Sequence, residues 1–356
     1  MKPMNRMNWM NPMNPRATPC FPIHGLHGVC ALAILCCAAF MTAHAAAQTR
    51  AKTSAAADGT IERSVTQGRA KTIIDNLFRC TEKVNNHRVS AVGTITSTDG
   101  KTWTVPAETV FQTGAKGADL YNECNRVAPK SSKEVSDTNV PVVVIDPDGE
   151  IVTGYIVVDN YFELYVNGKL IAVDAIPFTP FNSTIVKFKV KKPYTYALKL
   201  VDWEENLGLG TEVGTNFGNF HQGDGGFIAR FSDGTVTDSS WKAQSFYIAP
   251  LASPDLVVEK AGLHFTPTIG RIHPGAPKPP CEDRCYAVHY PLPKNWADPK
   301  FDDSKWPRAF EYTDQDVGVT SLRAYTHFPD LFKGARWIWS FNLVFDNLVI
   351  ARKTVR

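Results

Sequence analysis

Short stretches in which apolar and polar residues alternate run through most of the chain. The alternation is clearest in Ile185–Val190 and Tyr194–Trp203, and it recurs in Arg88–Thr96, which is rich in valine, isoleucine and threonine. A period of two places the apolar side chains on one face of a strand. The same reasoning predicts further strands at Lys101–Val105, Val142–Ile145, Ile151–Val158, Phe162–Val166, Lys169–Val173, Gly226–Phe231, Ala243–Ile248, Tyr286–Tyr290 and Ala335–Arg352.

Turn-forming residues separate these stretches. Asn167-Gly168 joins Phe162–Val166 to Lys169–Val173, and Asn-Gly between alternating segments is the strongest short hairpin signal. Pro147-Asp148-Gly149 has the composition of a tight turn. Long segments with the helical period of 3.6 residues are nearly absent. Many short strands joined by such turns predict an all-β sandwich or barrel.

The N-terminal segment has the features of a signal peptide. Val29–Met41 is an apolar run, and small residues of the A-x-A type follow it. The run is shorter than the roughly 20 apolar residues that a membrane-spanning helix needs. We therefore expect residues 1–47 to be removed, the protein to be secreted or periplasmic, and no integral membrane segment to remain. A bulky Leu35 before Cys36 argues against a lipid-modification site.

The remaining chain divides by composition into four parts. Residues 48–72 are small, polar and charged, which is typical of a flexible leader. Residues 73–251 carry most of the predicted strands and form the main sandwich region. Prolines and glycines crowd residues 252–280, which we expect to be a loop. Residues 281–356 resume strand character and either complete the sandwich or form a second small module.

Composition and charge exclude several classes of partner. The 356 residues are 44% hydrophobic, enough for a sizeable core. Removal of residues 1–47 takes away three of the 38 Lys and Arg residues and no acid, so that 35 cations balance 35 Asp and Glu residues. A chain without net charge gives no electrostatic reason to expect nucleic acid or an anionic membrane as partner. We expect a monomer.

Cysteine usage agrees with export. Four cysteines follow residue 47, namely Cys80, Cys124, Cys281 and Cys285. An even number in an exported chain favours two disulfides, Cys281 with its near neighbour Cys285 and Cys80 with Cys124. The alternative is a metal site, which the C-x3-C spacing supports only weakly because no second pair of ligands lies nearby.

Three motifs resemble segments of the galactose-binding-like, or jelly-roll, β-sandwich superfamily. They are Val157-Val158-Asp159-Asn160-Tyr161-Phe162-Glu163-Leu164-Tyr165-Val166-Asn167-Gly168-Lys169, Phe301-Asp302-Asp303-Ser304-Lys305-Trp306-Pro307 and Ala335-Arg336-Trp337-Ile338-Trp339. In that superfamily the second and third motifs usually precede the first, whereas here they follow it. The resemblance therefore implies either a permuted sandwich or two partial modules.

The resemblance also implies a class of ligand. Modules of this superfamily commonly bind sugars through variable loops, and they often hold one structural calcium ion. The shared motifs themselves imply structural roles, with Phe301 and Trp306 in the core and Asp302 and Asp303 in turns. No ligand-binding residue carries over from them.

One candidate binding segment is Asp202-Trp203-Glu204-Glu205-Asn206, at the end of a predicted strand. The indole of Trp203 can stack on the apolar face of a sugar, and the carboxylates of Glu204 and Glu205 can accept hydroxyl protons. Adjacent residues of a strand point to opposite faces, so these two glutamates do not readily share one site. The competing interpretation is a turn with solvated acids and Trp203 in the core.

A second candidate is the glycine-rich segment 216–226, which contains His221 and Asp224. Glycine permits close approach of backbone to a ligand, and these two side chains can orient hydroxyls, bind a metal or exchange protons. Two side chains fall short of the three or four ligands of a zinc site. The competing interpretation is an ordinary tight turn before a strand.

Asp146 and Asp148 flank Pro147 and can offer oxygen ligands to calcium. A type I turn explains the same residues without a metal. No other cofactor is indicated.

These observations favour an exported, non-catalytic protein that binds carbohydrate or a related polyhydroxyl ligand. We expect Trp203, His221 and Asp224 to line one cleft at the loop edge of the sandwich. Two alternatives stay open. One is a secreted hydrolase of glycans that uses Glu204, Glu205 or Asp224 as acid with His221 assisting, and the other is a structural protein of the envelope or matrix.

Overall fold

Alternating sequence forms strands whose two faces differ in burial. In the strand Ser183–Val190, Val186, Phe188 and Val190 are buried, whereas Lys187 and Lys189 between them are partly exposed. A computed structural model describes residues 62–68, 71–78, 80–82, 90–105, 108–177, 181–202, 211–213, 220–222, 224–266 and 284–356. All of them belong to one unit, Ala56–Arg356.

The described residues contain twenty-one strands and three short α-helices. The strands are β1 Ser64–Gln67, β2 Lys71–Phe78, β3 Ser90–Thr96, β4 Thr102–Val105, β5 Ala118–Tyr121, β6 Val142–Val144, β7 Glu150–Asp159, β8 Tyr161–Val166, β9 Lys169–Val173, β10 Ser183–Val190, β11 Tyr194–Val201, β12 Thr211–Val213, β13 Phe220–Gln222, β14 Gly226–Phe231, β15 Lys242–Leu251, β16 Val258–Lys260, β17 Leu263–Phe265, β18 Tyr286–His289, β19 Phe310–Tyr312, β20 Trp337–Trp339 and β21 Asp346–Val355. The helices are α1 Glu108–Thr113, α2 Asp314–Val317 and α3 Arg323–Thr326.

Two seven-stranded sheets form the body of the fold. Sheet 1 has the order β1-β18-β15-β21-β11-β8-β9. Sheet 2 has the order β19-β20-β14-β7-β10-β5, with β6 as an additional strand on β10. Neighbouring strands are antiparallel except for β6, which runs parallel to β10. Smaller sheets are formed by β2-β3-β4, by β12-β13 and by β16-β17.

Aromatic side chains from both sheets meet in the space between them. Tyr196 of β11 stacks on Phe231 of β14, with ring centroids 4.3 Å apart. Phe188 of β10 contacts the same tyrosine at 5.9 Å, and Trp241 lies on its other side at 5.9 Å. All four side chains are buried in one hydrophobic core. Two antiparallel sheets packed over a shared core confirm the prediction of an all-β sandwich.

The Asn167-Gly168 hairpin is confirmed. Both residues have positive φ angles, 50° and 78°, as a type I′ turn requires. The Asn167 side chain also accepts a hydrogen bond from the backbone N–H of Thr195, at 3.0 Å. This contact joins the turn to the neighbouring strand β11.

The Phe301–Trp306 motif covers the face of sheet 1 that points away from sheet 2. Trp306 is buried against Phe246 of β15, with ring centroids 5.7 Å apart. Asp302 accepts a hydrogen bond from the Ser304 N–H at 2.9 Å, and the carbonyl of Asp303 accepts one from the Trp306 N–H at 2.9 Å. These contacts confirm the turn roles of the two aspartates that the motif implied.

The C-terminal segment contributes to both sheets. The sequence predicted one strand from Ala335 to Arg352, but the structure divides it into β20 in sheet 2 and β21 in sheet 1. Strand β21 lies between β15 and β11 and pairs with both. The segment 340–345 between them crosses from one sheet to the other.

A helical segment, residues 313–335, packs on sheet 2. Tyr325 of α3 contacts Trp337 of β20, with ring centroids 5.2 Å apart, and Phe328 contacts Tyr121 of β5 at 6.4 Å. The side chain of Thr313 caps α2 and accepts a hydrogen bond from the Asp316 N–H. Within the described ranges, no helix is both long and apolar enough to cross a bilayer.

Two predictions of irregular structure were wrong in part. Residues 64–67 lie in the predicted flexible leader, yet they form β1 and pair with β18 at the edge of sheet 1. Thr66 and His289 share a hydrogen bond of 2.8 Å across that pair. Within the predicted loop 252–280, β16 and β17 form a hairpin. The predicted signal peptide, residues 1–47, lies outside the described residues.

Candidate functional site

At one end of the sandwich the chain passes directly from one sheet to the other. Strand β7 ends at Asp159 in sheet 2, and after Asn160 the chain enters sheet 1 as β8. Val201, the last residue of β11, pairs with the first residue of β8, Tyr161. Gly226, the first residue of β14, pairs with Asp159. The chain between Val201 and Gly226 therefore starts and finishes at this same end.

The crossing from β20 to β21 lies at this end as well. The backbone N–H of Asp202 donates to the carbonyl of Asn347 at 2.9 Å. The N–H of Gly225, next to Asp224, donates to the carbonyl of Leu343 at 3.1 Å. Four chain segments thus contribute carboxylates and amides to one place, which we call the polar end: Asp159, Asn160, Asp202, Asp224, Asp346 and Asn347.

Burial distinguishes these side chains from ordinary surface acids. Asp202 is 2% exposed, Asp346 is 1% exposed and Asp159 is 5% exposed. Asp224 is partly buried, at the start of the segment that leads into β14. Aspartate is almost never buried without partners. Hydrogen bonds hold the carboxylates of Asp159 and Asp346 in place.

The hydrogen bonds that hold the polar end are short and local. The side-chain N–H of Asn160 donates to Asp159 Oδ1 at 2.7 Å. The hydroxyl of Ser340 donates to Asp346 Oδ2 at 2.6 Å. The backbone carbonyl of Asp346 accepts a hydrogen bond of 2.8 Å from the indole of Trp339.

Asn342 shapes the crossing segment. Its Oδ1 accepts hydrogen bonds from the backbone N–H groups of Val344 and Phe345, both at 3.0 Å. Its Nδ2 donates to Thr266 Oγ1 at 2.6 Å. The side chain thus closes the turn and joins it to the residue after β17.

The side-chain oxygen of Asn347, at the polar end, is left without a donor. Asn347 is 0% exposed, and its Nδ2 donates to the carbonyl of Ala249 at 2.9 Å. Its Oδ1 has no hydrogen-bond partner within the part of the chain that the structure describes. A buried acceptor of this kind is satisfied by an ordered water or by a hydroxyl donor.

Burial changes the acidity of Asp346. Removal of the carboxylate from water raises its pKa to about 7, although the hydrogen bond from Ser340 acts in the opposite direction. In the folded chain the Asp346 carboxyl group keeps its proton up to about pH 7. In the unfolded chain, where its pKa is near 3.8, the group has lost that proton by the same pH. Because the folded chain binds the extra proton, stability falls as pH rises from about 4 to about 7.

Asp346→Asn should remove this pH dependence. We expect the free energy of unfolding of the variant, relative to the wild type, to rise by about 1.4 kcal/mol per pH unit between about pH 4 and pH 7, and to level off above. Urea denaturation across that range measures the difference. A difference that is constant with pH would show that Asp346 titrates in the same way in both states.

The glycines beside Asp224 have a packing role. A Cβ built on Gly225 would lie 2.4 Å from ring atoms of Trp339, and one on Gly226 would lie 2.5 Å from Val317 and 3.1 Å from Trp337. The glycine-rich sequence was predicted to allow close approach of a ligand. The structure shows instead that these glycines admit Trp337 and Trp339 of the Ala335–Trp339 motif.

Comparison of the chain with protein-family models, with curated proteins and with solved structures returns no match. The similarity of its motifs to the galactose-binding-like superfamily therefore stays a prediction. What the structure shows is the sandwich itself and the polar end.

The structure places some of the predicted ligand-binding residues and not others. Trp203, Glu204 and Glu205 lie outside the described residues. His221 lies in β13, opposite Glu212 of β12, and only its backbone is described. Asp224 is at the polar end, and Asp202, the neighbour of Trp203 in sequence, is there too. The shared cleft of Trp203, His221 and Asp224 stays a prediction.

The two candidate calcium ligands make contacts within the protein. Asp146 Oδ2 accepts a hydrogen bond of 2.9 Å from the Lys191 backbone N–H. Asp148 forms an ion pair of 2.8 Å with the Lys191 ammonium group. The N–H of Gly149 donates to the carbonyl of Asp146 at 3.0 Å, as in a tight turn. Among the described residues, no group of three or more His, Cys, Asp or Glu side chains is arranged to hold a metal ion.

The Cys80–Cys124 disulfide is confirmed, with 5.1 Å between the Cα atoms. The bond links Cys80, two residues after β2, to Cys124 in a short 3-10 helix, Glu123–Asn125, after β5. Cys285 is also disulfide-bonded. Its predicted partner, Cys281, lies outside the described residues.

Sequence reasoning missed most of the polar end. Asp159 and Asn160 stood inside a motif whose residues were treated as structural, and Asp346 and Asn347 stood inside one predicted strand. A usable signal was present in each case, because a polar pair directly precedes or follows an apolar strand. The sequence could not show that the two pairs meet.

Proposed function

We propose that the protein binds carbohydrate, or a related polyhydroxyl ligand, without catalysis, and that the binding site is at the polar end. The observation that carries the proposal is the convergence of carboxylates and amides from four chain segments at one end of a rigid sandwich. Such groups accept hydroxyl protons and donate to hydroxyl oxygens. A few polar groups held in place by a scaffold are typical of small-ligand sites.

The segment between Asp202 and Asp224 adds to this support. Both of its ends are at the polar end, and its sequence contains Trp203, Glu204, Glu205 and His221. Loops at the ends of sandwiches commonly carry binding residues. An aromatic residue and acids in this part of the sequence suit recognition of a sugar, which has apolar faces and hydroxyl edges.

A binding assay with conservative variants tests the proposal. Asp224→Asn replaces the carboxylate of the one polar-end residue that is only partly buried, and keeps the size of the side chain. We expect it to weaken binding of the sugar that a glycan array identifies by about tenfold or more, since a hydrogen bond to a charged group contributes about 1.5–3 kcal/mol. Isothermal titration measures the loss, and circular dichroism checks the fold.

Glu150→Gln is the matched control. Glu150 is the first residue of β7 and is exposed, at the opposite end of the strand from Asp159. This variant should bind as the wild type does. Equal loss in both variants, or no glycan bound by the wild type, would count against the proposal. If new reducing ends appear on incubation with oligosaccharides, the protein hydrolyses glycans and the proposal of binding without catalysis is wrong.

A further inference from the structure

Two histidines are buried at one edge of sheet 1. His289 of β18 is 1% exposed, and His264 of β17 is 3% exposed. Tyr290, the residue after His289, stacks on His264 with ring centroids 3.6 Å apart and planes 13° from parallel. The two imidazoles thus belong to one group of packed rings. We call the strands β1, β16, β17 and β18 around them the histidine edge.

His289 fastens the edge strand β1 to sheet 1. Its ring stacks on Tyr247, its pairing partner in β15, with centroids 4.9 Å apart and planes 15° from parallel. Trp103 of β4 also stacks on it, at 5.7 Å and 22°. Its Nε2 shares a hydrogen bond of 2.8 Å with the hydroxyl of Thr66 in β1. One imidazole therefore connects four strands, and β1 is only four residues long.

His264 fastens the β16–β17 hairpin in a similar way. Its Nε2–H donates a hydrogen bond to the backbone carbonyl of Ser245 in β15. The side chain of Gln244 donates to the backbone carbonyl of His264 at 3.1 Å. The hydroxyl of Tyr290 donates to Glu259 of β16 at 2.8 Å. The hairpin thus depends on a second buried imidazole for its contact with sheet 1.

Charged groups on the neighbouring elements pair with one another. Glu259 pairs with Arg63 at 3.3 Å, and Asp99, in the turn before β4, pairs with Lys101 at 3.1 Å. Within the part of the chain that the structure describes, neither histidine forms an ion pair. A proton on either ring would therefore be a buried charge without a counter-ion. The other titratable groups on or next to these strands are Glu62, Asp255, Lys260, Tyr247, Tyr286 and Tyr290.

Acid acts in opposite directions on the histidine edge and on two buried carboxyl groups. Burial lowers the pKa of His289 to about 3 and that of His264 to about 4, against 6.5 for an exposed imidazole. Their contribution to stability is therefore complete above about pH 6.5 and is lost as the pH falls toward 4. Burial raises the pKa of Asp174 and of Asp346 to about 7. The contribution of these two carboxyl groups grows as the pH falls over the same range.

We infer that the histidine edge is an acid-sensitive switch: acidification releases β1 and the β16–β17 hairpin from sheet 1 while the central strands stay paired. A histidine that leaves its buried position takes up a proton from acidic solution, and the proton opposes its return. Release of β1 exposes the backbone groups of β18 that now pair with it. Such an unpaired edge can accept a strand from another chain.

Hydrogen exchange followed by mass spectrometry at about pH 7 and about pH 5 tests the inference. After correction for the intrinsic exchange rate, protection reports the local opening constant. We expect that constant to rise about 25-fold in β1 and in the hairpin, because each freed imidazole takes up one proton with the pKa of an exposed histidine. The central strands β10 and β11 should show no such rise. Exposed carboxylates generally stay ionised over this range, so they contribute little.

Variants of the two histidines assign the response to single side chains. Glutamine does not titrate, and its amide can make the hydrogen bonds of the neutral ring. His289→Gln should abolish the rise in β1, and His264→Gln should abolish it in the hairpin. His327→Gln is the matched control, because His327 is partly buried in the helical segment on sheet 2 and bonds to the carbonyl of Pro129. It should leave both responses unchanged.

Thr66→Val keeps the inference testable if the His289 variant does not fold. It removes the hydrogen bond but leaves the imidazole, so β1 should open more at both pH values and keep the 25-fold rise, a figure of about that size following from one freed histidine. An equal rise in β10 and β11 would mean that acid unfolds the whole sandwich, and the switch would be wrong. A rise that persists in both glutamine variants, or no rise in the wild type, would also overturn it.

Discussion

Trp339→Ala is expected to lower the free energy of unfolding by about 3–5 kcal/mol, the usual cost of deleting a large buried aromatic side chain. Trp339 is fully buried, with 0% of its surface exposed. Its indole also donates to the carbonyl of Asp346 at 2.8 Å. The variant therefore loses packing in the core and a hydrogen bond that holds the start of β21. Urea denaturation, with an unchanged m-value, measures the loss.

A second variant tests whether position 225 must be glycine because Trp339 packs against it. Gly225→Ala alone should cost about 1–3 kcal/mol, because its methyl group would overlap the ring of Trp339. In the Trp339→Ala background the same methyl group has room, and the cost should disappear. A double-mutant cycle gives the coupling between the two residues. Additive costs would show that the glycine is required for another reason.

Arg352→Met is expected to cost about 3 kcal/mol, toward the lower end of the range for breaking a buried ion pair. Arg352 lies in β21 and is 1% exposed. Its Nε donates to Asp303 Oδ2 at 2.7 Å, and its other nitrogens donate to the carbonyls of Asp298, at 3.1 Å, and Trp296. The figure is low in the range because Asp303 is 25% exposed, so that water partly compensates the unpaired carboxylate.

The Arg352 variant should also release the segment that the arginine holds. Residues 296–306 lie on sheet 1 through Trp306 and this fork of hydrogen bonds. We expect faster tryptic cleavage at Lys300 and Lys305 in Arg352→Met than in the wild type. Arg352→Lys keeps the charge but loses the fork, and should fall between the two. Wild-type cleavage rates in the methionine variant would mean that Trp306 holds the segment without help.

Local patterns predicted the elements whose structure is decided by nearby residues. Asn167-Gly168 forms its type I′ turn because both residues tolerate positive φ and the flanking strands are in register. Strand β10 alternates in sequence and alternates in burial. The Cys80–Cys124 bond followed from an even number of cysteines in a chain with export features. The turn and the strand needed no knowledge of distant partners, and the disulfide, whose cysteines are 44 residues apart, followed from the cysteine count.

Other elements depend on contacts that sequence patterns do not show. Strand β1 looked like a polar leader, and it is a strand because β18, more than 200 residues away, offers an edge to pair with. The apolar pattern from Ala335 to Arg352 continues across Ser340 and Asn342, so it gave no sign of the crossing between sheets. Gly225 and Gly226 indicated close approach of a ligand or a tight turn, and the pattern gave no sign of the tryptophans that pack against them.

The sequence by itself determined the fold class, the hairpins and one disulfide, because the period of side chains along a strand and the φ angles of turn residues are local properties. Only the tertiary structure decided which polar groups meet. Asp159, Asp202, Asp224 and Asp346 are separated by long stretches of chain, and they come together because β7, β11, β14 and β21 begin or end at the same end of the two sheets. The order of the strands brings these four aspartates together. That order depends on how the complete faces of the two sheets pack against each other.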